Sequence, residues 1–287
     1  MSSILKTFQK KRRKILKIVN RVVPSIEGTL KGNKITAYWY TGTVNFGDLL
    51  TPIILKHYGF TPVCYPLRKA QVLSTGSILQ SVPESYSGNI IGSGLIKNTS
   101  LQLKTAKIWA LRGKLTQERI YAPRDTVLGD PGLLALNLLQ QRQKRSYVLG
   151  IVPHYVDQED PRIAMLKKRY GTDLLVIDVK RDPMLVFADI DRCDCILSSS
   201  LHGVIVADSL NIPNAWIYLS DKVRGKGFKF HDYYSGIGMN CDPLYLDGGE
   251  SLSQLVKYAH KPPEVIAEVI ERLDHKFRSF GDYFIGL

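Results

Sequence analysis

Cys195-Ile196-Leu197-Ser198-Ser199-Ser200-Leu201-His202-Gly203-Val204-Ile205-Val206-Ala207-Asp208-Ser209-Leu210 is the stretch whose reading decides the fold. A short apolar run, Cys195–Ser198, reads as a strand. Three hydroxyl residues end it, and Leu201–Leu210 follows at once as a helix. His202 then falls in the first turn of that helix. Free N–H groups and the positive dipole end gather there, a ready anion site. Gly203 permits close approach of a ligand or of neighbouring backbone. The dipole alone lowers the pKa of His202, whereas a bound phosphate or carboxylate favours imidazolium. Such a histidine can serve as a general acid, or it can simply hydrogen-bond within the fold.

The same rhythm extends outward in both directions. Towards the C-terminus, Ala215–Tyr218 is a strand and Pro262–Pro263 opens a last amphipathic helix to about Phe277. Upstream lie strands at Tyr147–Val152 and Leu174–Asp178 with helices at Arg162–Tyr170 and Pro183–Asp189. The polar stretch Gln140–Ser146 reads as a linker. Before it come strands at Ile35–Tyr40, Gln71–Ser74, Asn89–Ile91, Lys107–Leu111 and Val127–Leu128. Helices are expected at Asp48–His57, Leu115–Ile120 and Pro131–Leu139. Strands alternating with helices predict an α/β protein with parallel sheets covered on both faces. The expected organisation is a basic arm (1–34), an N-terminal Rossmann-like domain (35–143) and a C-terminal one carrying the final helix (144–287). The two domains face one cleft.

The 287 residues, 44% of them hydrophobic, suffice for two such domains. No apolar run is long enough to span a bilayer, and the start lacks the apolar region of a secretory signal, so the default compartment is the cytoplasm. The four cysteines, Cys64, Cys193, Cys195 and Cys241, do not pair into a zinc-ligand pattern and read as reduced thiols. Residues 1–34 hold ten Lys or Arg against Glu27 alone, nine of the thirteen net positive charges. The rest of the chain is only mildly basic, which argues against a nucleic-acid groove. Apolar residues interleave with the charges of the arm. That pattern suits either an amphipathic helix on an anionic membrane surface or a solvated arm.

Ligands of open parallel sheets bind beyond the carboxyl ends of strands, which selects a few loops. Thr41–Asp48 offers Asn45 and Asp48, although Asp48 can equally cap its helix. Its glycine spacing fits neither a dinucleotide fingerprint nor a P-loop. Arg112, after the strand Lys107–Leu111, can grip a carboxylate or phosphate, or remain a surface charge. Asp221–Lys229 is a glycine-broken loop with four cations, Lys222, Arg224, Lys226 and Lys229. It can hold phosphate and close over a substrate.

Taken in order, these loops resemble the polysaccharide pyruvyl transferase family. The resemblance runs from about Ile35 to Gly238. It rests on Asn45-Phe46-Gly47-Asp48, Gly92-Ser93-Gly94, Arg112, Leu128-Gly129-Asp130-Pro131 and Gly150-Ile151-Val152-Pro153-His154-Tyr155. Most weight falls on Ser198–Gly203 and the helix ending at Asn211-Ile212-Pro213. Around His154 and Lys229 the pattern is most similar to succinoglycan-type exopolysaccharide members. The resemblance implies a GT-B-like fold and a reaction in which phosphoenolpyruvate forms a pyruvate ketal on a sugar and phosphate is released. Phosphoenolpyruvate is then a substrate, and no cofactor or metal is expected. It further implies His202 and Arg112 as catalytic residues. Donor contacts would come from Ser199, Ser200, Leu201, Gly203 and Lys229, and acceptor contacts from Asn45, Asp48 and His154. The acceptor would be a polysaccharide or its lipid-linked precursor, met at the inner face of the plasma membrane. Many relatives carry arginine where this chain has Ser200; Lys222, Arg224, Lys226 or Lys229 would then supply the anion grip. A nucleotide-sugar glycosyltransferase and a non-catalytic membrane-surface partner of polysaccharide assembly are the alternative readings.

Overall fold

The computed structural model of the protein describes residues 24–285. Most of the basic arm, residues 1–23, lies outside the described residues.

Two parallel sheets form the frame. The first has the order β2-β1-β3-β4-β5-β6, built from Lys34–Tyr38 (β1), Thr61–Cys64 (β2), Val72–Leu73 (β3), Asn89–Ile91 (β4), Lys107–Leu111 (β5) and Val127–Leu128 (β6). The second has the order β11-β10-β9-β7-β8, built from Tyr147–Val152 (β7), Leu174–Val176 (β8), Cys193–Ser198 (β9), Asn214–Tyr218 (β10) and Leu244–Tyr245 (β11). Strand β9 sits between β7 and β10 and is buried apart from Asp194. That is why it is almost wholly apolar, as centrally placed parallel strands are. The expected α/β architecture of two Rossmann-like units holds.

The strand β2 is not foreseen from the sequence because it contains Pro62. It occupies the edge of its sheet, pairing only with β1, and an edge strand tolerates a residue without an N–H donor.

The helix after β9, Leu201–Ser209, is buried along its whole length. One side covers its own sheet. The other meets the segment 131–138 of the first domain, where Ser209 Oγ donates to Leu133 O (2.6 Å) and accepts from Leu136 N (2.9 Å). One apolar cluster runs from Ile35 and Leu50 through Leu133 to Val206 and Tyr233, so the core is shared across the interface.

The final helix, Val265–Ile285, is longer than the sequence pattern implies and packs on the first sheet rather than the second. Phe280 meets Phe60 and Trp109, Phe277 stacks on Tyr58 at 4.9 Å, and the Tyr58 hydroxyl donates to Asp274 (2.7 Å). This corrects its expected place in the C-terminal domain: its apolar stripe matches the aromatic residues that the first sheet leaves uncovered. The return crossing ties the two units together. Truncating Phe280 to Ala would cost about 3–5 kcal/mol by the usual cavity and transfer terms.

The linker 139–146 has neither helix nor strand, but it is anchored. Arg142 pairs with buried Asp191 at 2.7 Å, and the Gln143 N–H donates to the same carboxylate.

Candidate active site

The carboxyl ends of both sheets meet at one place, and His202 is at its centre. Its ring lies between loops of the other domain. Phe46 presents an edge to it with ring centroids 6.2 Å apart, and a Cβ at Gly47 would overlap its Nδ1. Gly47 is thus required by close approach of the imidazole. On the opposite side, Nε2 lies 4.0 Å from Asp130 Oδ1. The loop carrying Phe46 is held across the interface by the Phe46 N–H, which donates to Val179 O at 2.8 Å.

Burial pushes the His202 pKa down to about 3, helped by the nearby cations Lys229 and Arg112 and by His154. His154 is likewise pushed down to about 3 by burial and Lys229. Both imidazoles are neutral at pH 7. Lys229 is itself buried and has no ion pair among the described residues. Burial and Arg112 bring its pKa down to about 8, against the opposing charges of Asp48 and Asp157. It stands in the first turn of the helix Phe228–Gly236, rather than on the loop expected from the glycines before it. Lys222, Arg224 and Lys226 on that loop are exposed, and only Lys229 turns inward.

Asp48 is half-buried, with its pKa pushed up to about 6 by desolvation; Asn45 Nδ2 donates to it at 3.3 Å, and Lys229 favours its charged form. Asp48, expected with Asn45 on the acceptor side, is therefore within electrostatic reach of Lys229. Ser199 is buried and doubly engaged: its Oγ donates to Asp157 (2.8 Å) and accepts from the His154 N–H (2.9 Å). It positions His154 and faces a carboxylate, so it does not present a free donor to a ligand. Ser200 is the N-cap residue of the Leu201–Ser209 helix, but its side chain makes no capping bond.

Three expectations need correction. Leu201 is a core residue, 3% exposed. Gly203 is needed for helix-to-sheet packing, because a Cβ there would overlap Ser198 Oγ and crowd Val152. Arg112 is fully buried and already neutralised. Its guanidinium pairs with Asp232 at 2.8 Å and donates to Ser77 Oγ and Leu95 O. Asp232 also accepts from the Thr116 N–H and hydroxyl, so this pair is an interdomain clamp three residues beyond Lys229. Arg112 adds positive potential to the site without offering a free fork to a ligand.

In the sequence Asp130 stands out only as part of Leu128-Gly129-Asp130-Pro131. It is fully buried, and burial pushes its pKa up to about 6. One oxygen accepts from the Gly132 N–H (2.9 Å), while Oδ2 has no partner; His202 Nε2 is also without one. Among the described residues there is no cluster of three or more His, Cys, Asp or Glu that could hold a metal ion. A cavity of about 460 Å³ lined by Tyr38, Tyr65, Arg68 and Lys69 opens beyond the carboxyl ends of β1 and β2.

The model of the polysaccharide pyruvyl transferase family matches residues 72–221 of this chain, from β3 through the His202 helix to the cation-bearing loop. The chain belongs to the polysaccharide pyruvyl transferase family. Within the family's span fall Arg112, Asp130, His154, Ser199 and His202. The chain is 29% identical to an uncharacterized protein, L143, of Acanthamoeba polyphaga mimivirus, over 87% of this chain and 97% of that one. It is 26% identical to the succinoglycan biosynthesis protein ExoV of Rhizobium meliloti (strain 1021), over 77% of this chain and 71% of that one. Among solved structures, the wall teichoic acid polymerase TagF aligns with a TM-score of 0.45 at 11% identity, covering 99% of this chain and 98% of that one.

Proposed function

We propose that this pyruvyl transferase takes phosphoenolpyruvate as donor and builds a pyruvate ketal on a sugar of an exopolysaccharide or its lipid-linked precursor. The observation that carries this reading is Lys229: a buried ammonium that makes no ion pair among the described residues, near a neutral buried histidine at a helix N-terminus. A buried cation answered only by carboxylates at a distance is costly, and it is tolerated where an anionic ligand will complete it. Phosphoenolpyruvate brings a carboxylate and a phosphate.

The same anions solve the protonation problem. One unit charge about 4 Å from His202, at an effective dielectric of about 20, is worth about 4 kcal/mol, or about three pKa units. That lifts the imidazole from about 3 towards neutrality. The imidazolium then gives a proton to the methylene carbon of the donor, which becomes a methyl group. One sugar hydroxyl attacks the resulting oxocarbenium-like carbon and loses its proton. Phosphate leaves, and the second hydroxyl closes the ketal, its proton passing to phosphate. Asp48, with a pKa of about 6, is suited to take a proton from the attacking hydroxyl. Lys229 supplies the grip that relatives with arginine at the Ser200 position would place there. The cavity at Tyr38 and Tyr65, beyond the carboxyl end of β1 from which the loop to Asp48 also leaves, supports an acceptor path on the N-terminal domain.

The test is phosphate release from phosphoenolpyruvate with lipid-linked oligosaccharide acceptors. Wild type should release phosphate, and His202→Ala should lower turnover by about 10²–10⁴-fold, the usual contribution of general acid–base catalysis. Nucleotide release from sugar nucleotides instead would favour a glycosyltransferase. Pyruvylation unchanged by His202→Ala would favour a non-catalytic partner.

The acceptor's lipid would bring the protein to the cytoplasmic face of the membrane through residues 1–34. No helix among the described residues is long and apolar enough to cross a membrane. Supporting peripheral attachment, Ile26 and Leu30 are 58% and 82% exposed, one turn apart in the helical segment 24–31. Deleting residues 1–30 should release the protein from anionic vesicles and spare turnover of soluble acceptors.

A further inference from the structure

The connection 65–71 between β2 and β3 carries two cations that nothing answers. It leaves β2 beyond Cys64, doubles back along β1 through the turn Leu67–Lys69, and ends at Gln71, whose N–H donates to Thr36 O at 2.8 Å. Arg68 and Lys69 are exposed, and neither side chain makes an ion pair or hydrogen bond among the described residues. They border two cavities at once. One is the cavity of about 460 Å³ at Tyr38 and Tyr65, on the cleft side. The other, of about 710 Å³, lies at the amino ends of β3 and β4, against the end of the Val265–Ile285 helix. Both fall within the range of about 300–1,000 Å³ usual for ligand sites. No acid lines either one; Glu84 and Asp282, each next in sequence to a lining residue, are not among the lining residues. A recess walled by charges of one sign concentrates their field and draws in an anion.

The larger cavity also has the groups that sugars need. Tyr283 lines it and is 58% exposed, with the Lys107 ammonium 3.3 Å from the centre of its ring. Gln71 lines it too. Thr36 donates its N–H and its hydroxyl to Gln71 Oε1 (2.8 and 2.9 Å). That fixes the amide orientation and leaves the two Nε2 hydrogens without a partner among the described residues. An exposed ring, an amide with free donors and two cations together suit a carboxylated sugar chain. The ring stacks on apolar sugar faces, while the amide and the cations meet hydroxyls and carboxylates. The recess is concave, which disfavours a flat lipid surface. Residues 1–23 carry cations and no acid, so the chain's own arm is repelled from it. We propose that this recess is a second glycan subsite, which selects an acceptor chain bearing carboxylates away from the sugar that is pyruvylated. The connection 65–71 joins it to the cleft-side cavity, so one extended acceptor reaches from the Asp48 loop past Arg68 and Lys69 to Tyr283. Its part in acceptor selection rests on the function proposed above.

The test is a binding measurement that needs no phosphoenolpyruvate. Oligogalacturonates, as carboxylated sugar chains, and malto-oligosaccharides of equal length, as neutral ones, are titrated calorimetrically into the full-length protein. The acidic chain should bind more tightly than the neutral one, and less tightly as salt is raised. Arg68→Ala/Lys69→Ala should raise its Kd by about three- to thirtyfold, the worth of two exposed charge contacts. Tyr283→Ala should weaken it as well, which a site for phosphate alone would not do. Lys257→Ala/Lys261→Ala, an equal loss of exposed charge on the other domain, should leave Kd as in wild type. In turnover, the cost of Arg68→Ala/Lys69→Ala should fall on the KM of an acidic lipid-linked acceptor. Equal Kd in wild type and Arg68→Ala/Lys69→Ala, or an equal loss in Lys257→Ala/Lys261→Ala, would overturn the proposal. So would inorganic pyrophosphate displacing the acidic chain while Tyr283→Ala binds that chain normally. A loss in Arg68→Ala/Lys69→Ala confined to phosphatidylglycerol vesicles would overturn it too, assigning the cations to a membrane surface. If glycan binding responds as expected while wild type releases no phosphate from phosphoenolpyruvate, the donor assignment fails and the glycan site stands.

Discussion

Arg112 and Lys229 are buried cations, one from each domain, beside the same histidine. Arg112 ends β5 and is enclosed by partners: Asp232, Ser77 and the Leu95 carbonyl. Lys229 starts the helix that carries Asp232, yet no carboxylate pairs with it among the described residues. Both are expected from the sequence to meet a ligand, Arg112 from its strand end and Lys229 from the resemblance around its glycine-broken loop. What separates them is pairing. A paired buried cation holds two domains together; an unpaired one leaves a charge for a ligand to answer.

The contrast makes opposite predictions for the two residues. Arg112→Met strands the Asp232 carboxylate in the interface and should lower the unfolding free energy by about 3–5 kcal/mol in a denaturant titration. Combining it with Asp232→Asn should cost less than the sum of the single variants. An effect under about 1 kcal/mol for Arg112→Met would dissolve the clamp. Lys229→Met removes an unpaired buried charge and should leave stability unchanged or slightly raised. Its cost should fall on the donor: a charge-assisted contact worth about 1.5–3 kcal/mol predicts a rise of about ten- to a hundredfold in KM for phosphoenolpyruvate. Wild-type KM in that variant would place the anion elsewhere.

A smaller effect reads out the positive field that both residues create. His202 protonates near pH 6.5 when unfolded but only near 3 when folded, so the unfolded chain binds more protons between these values. Stability is therefore lost as pH falls through that window. Relative to His202→Ala, wild type should lose up to about 1.4 kcal/mol per pH unit below pH 6.5. Parallel stability curves for the two proteins would mean that His202 is not desolvated.

Much of this was legible locally. The run Cys195–Ser198 and the helix after it announce a buried strand and a strand-end turn, and His202 falls in the first turn of that helix as expected. Asn45 and Asp48 follow from the same rule at β1. What escaped depends on contacts distant in sequence. Pro62 hides β2 because only the sheet order shows that it is an edge strand. The amphipathic pattern of Val265–Ile285 shows that one face is buried but not against which sheet. Arg112 finds Asp232 120 residues away, and Asp130 meets His202 only across the interface. Gly203 in the sequence leaves open whether a ligand or the protein itself comes close, and the fold fills that place with Ser198 and Val152. Single residues carry their type into a sequence reading; whether a charge is answered is a property of the folded pair.

The most direct test of the account is calorimetric titration of phosphoenolpyruvate into the full-length protein in buffers of different ionisation enthalpy near pH 7.5. An anion seated between Lys229 and His202 must raise both pKa values from about 8 and about 3, so binding should take up protons from the buffer. Lys229→Met should bind more weakly and with less proton uptake. Binding of equal strength in wild type and Lys229→Met, with no proton uptake in either, would contradict it.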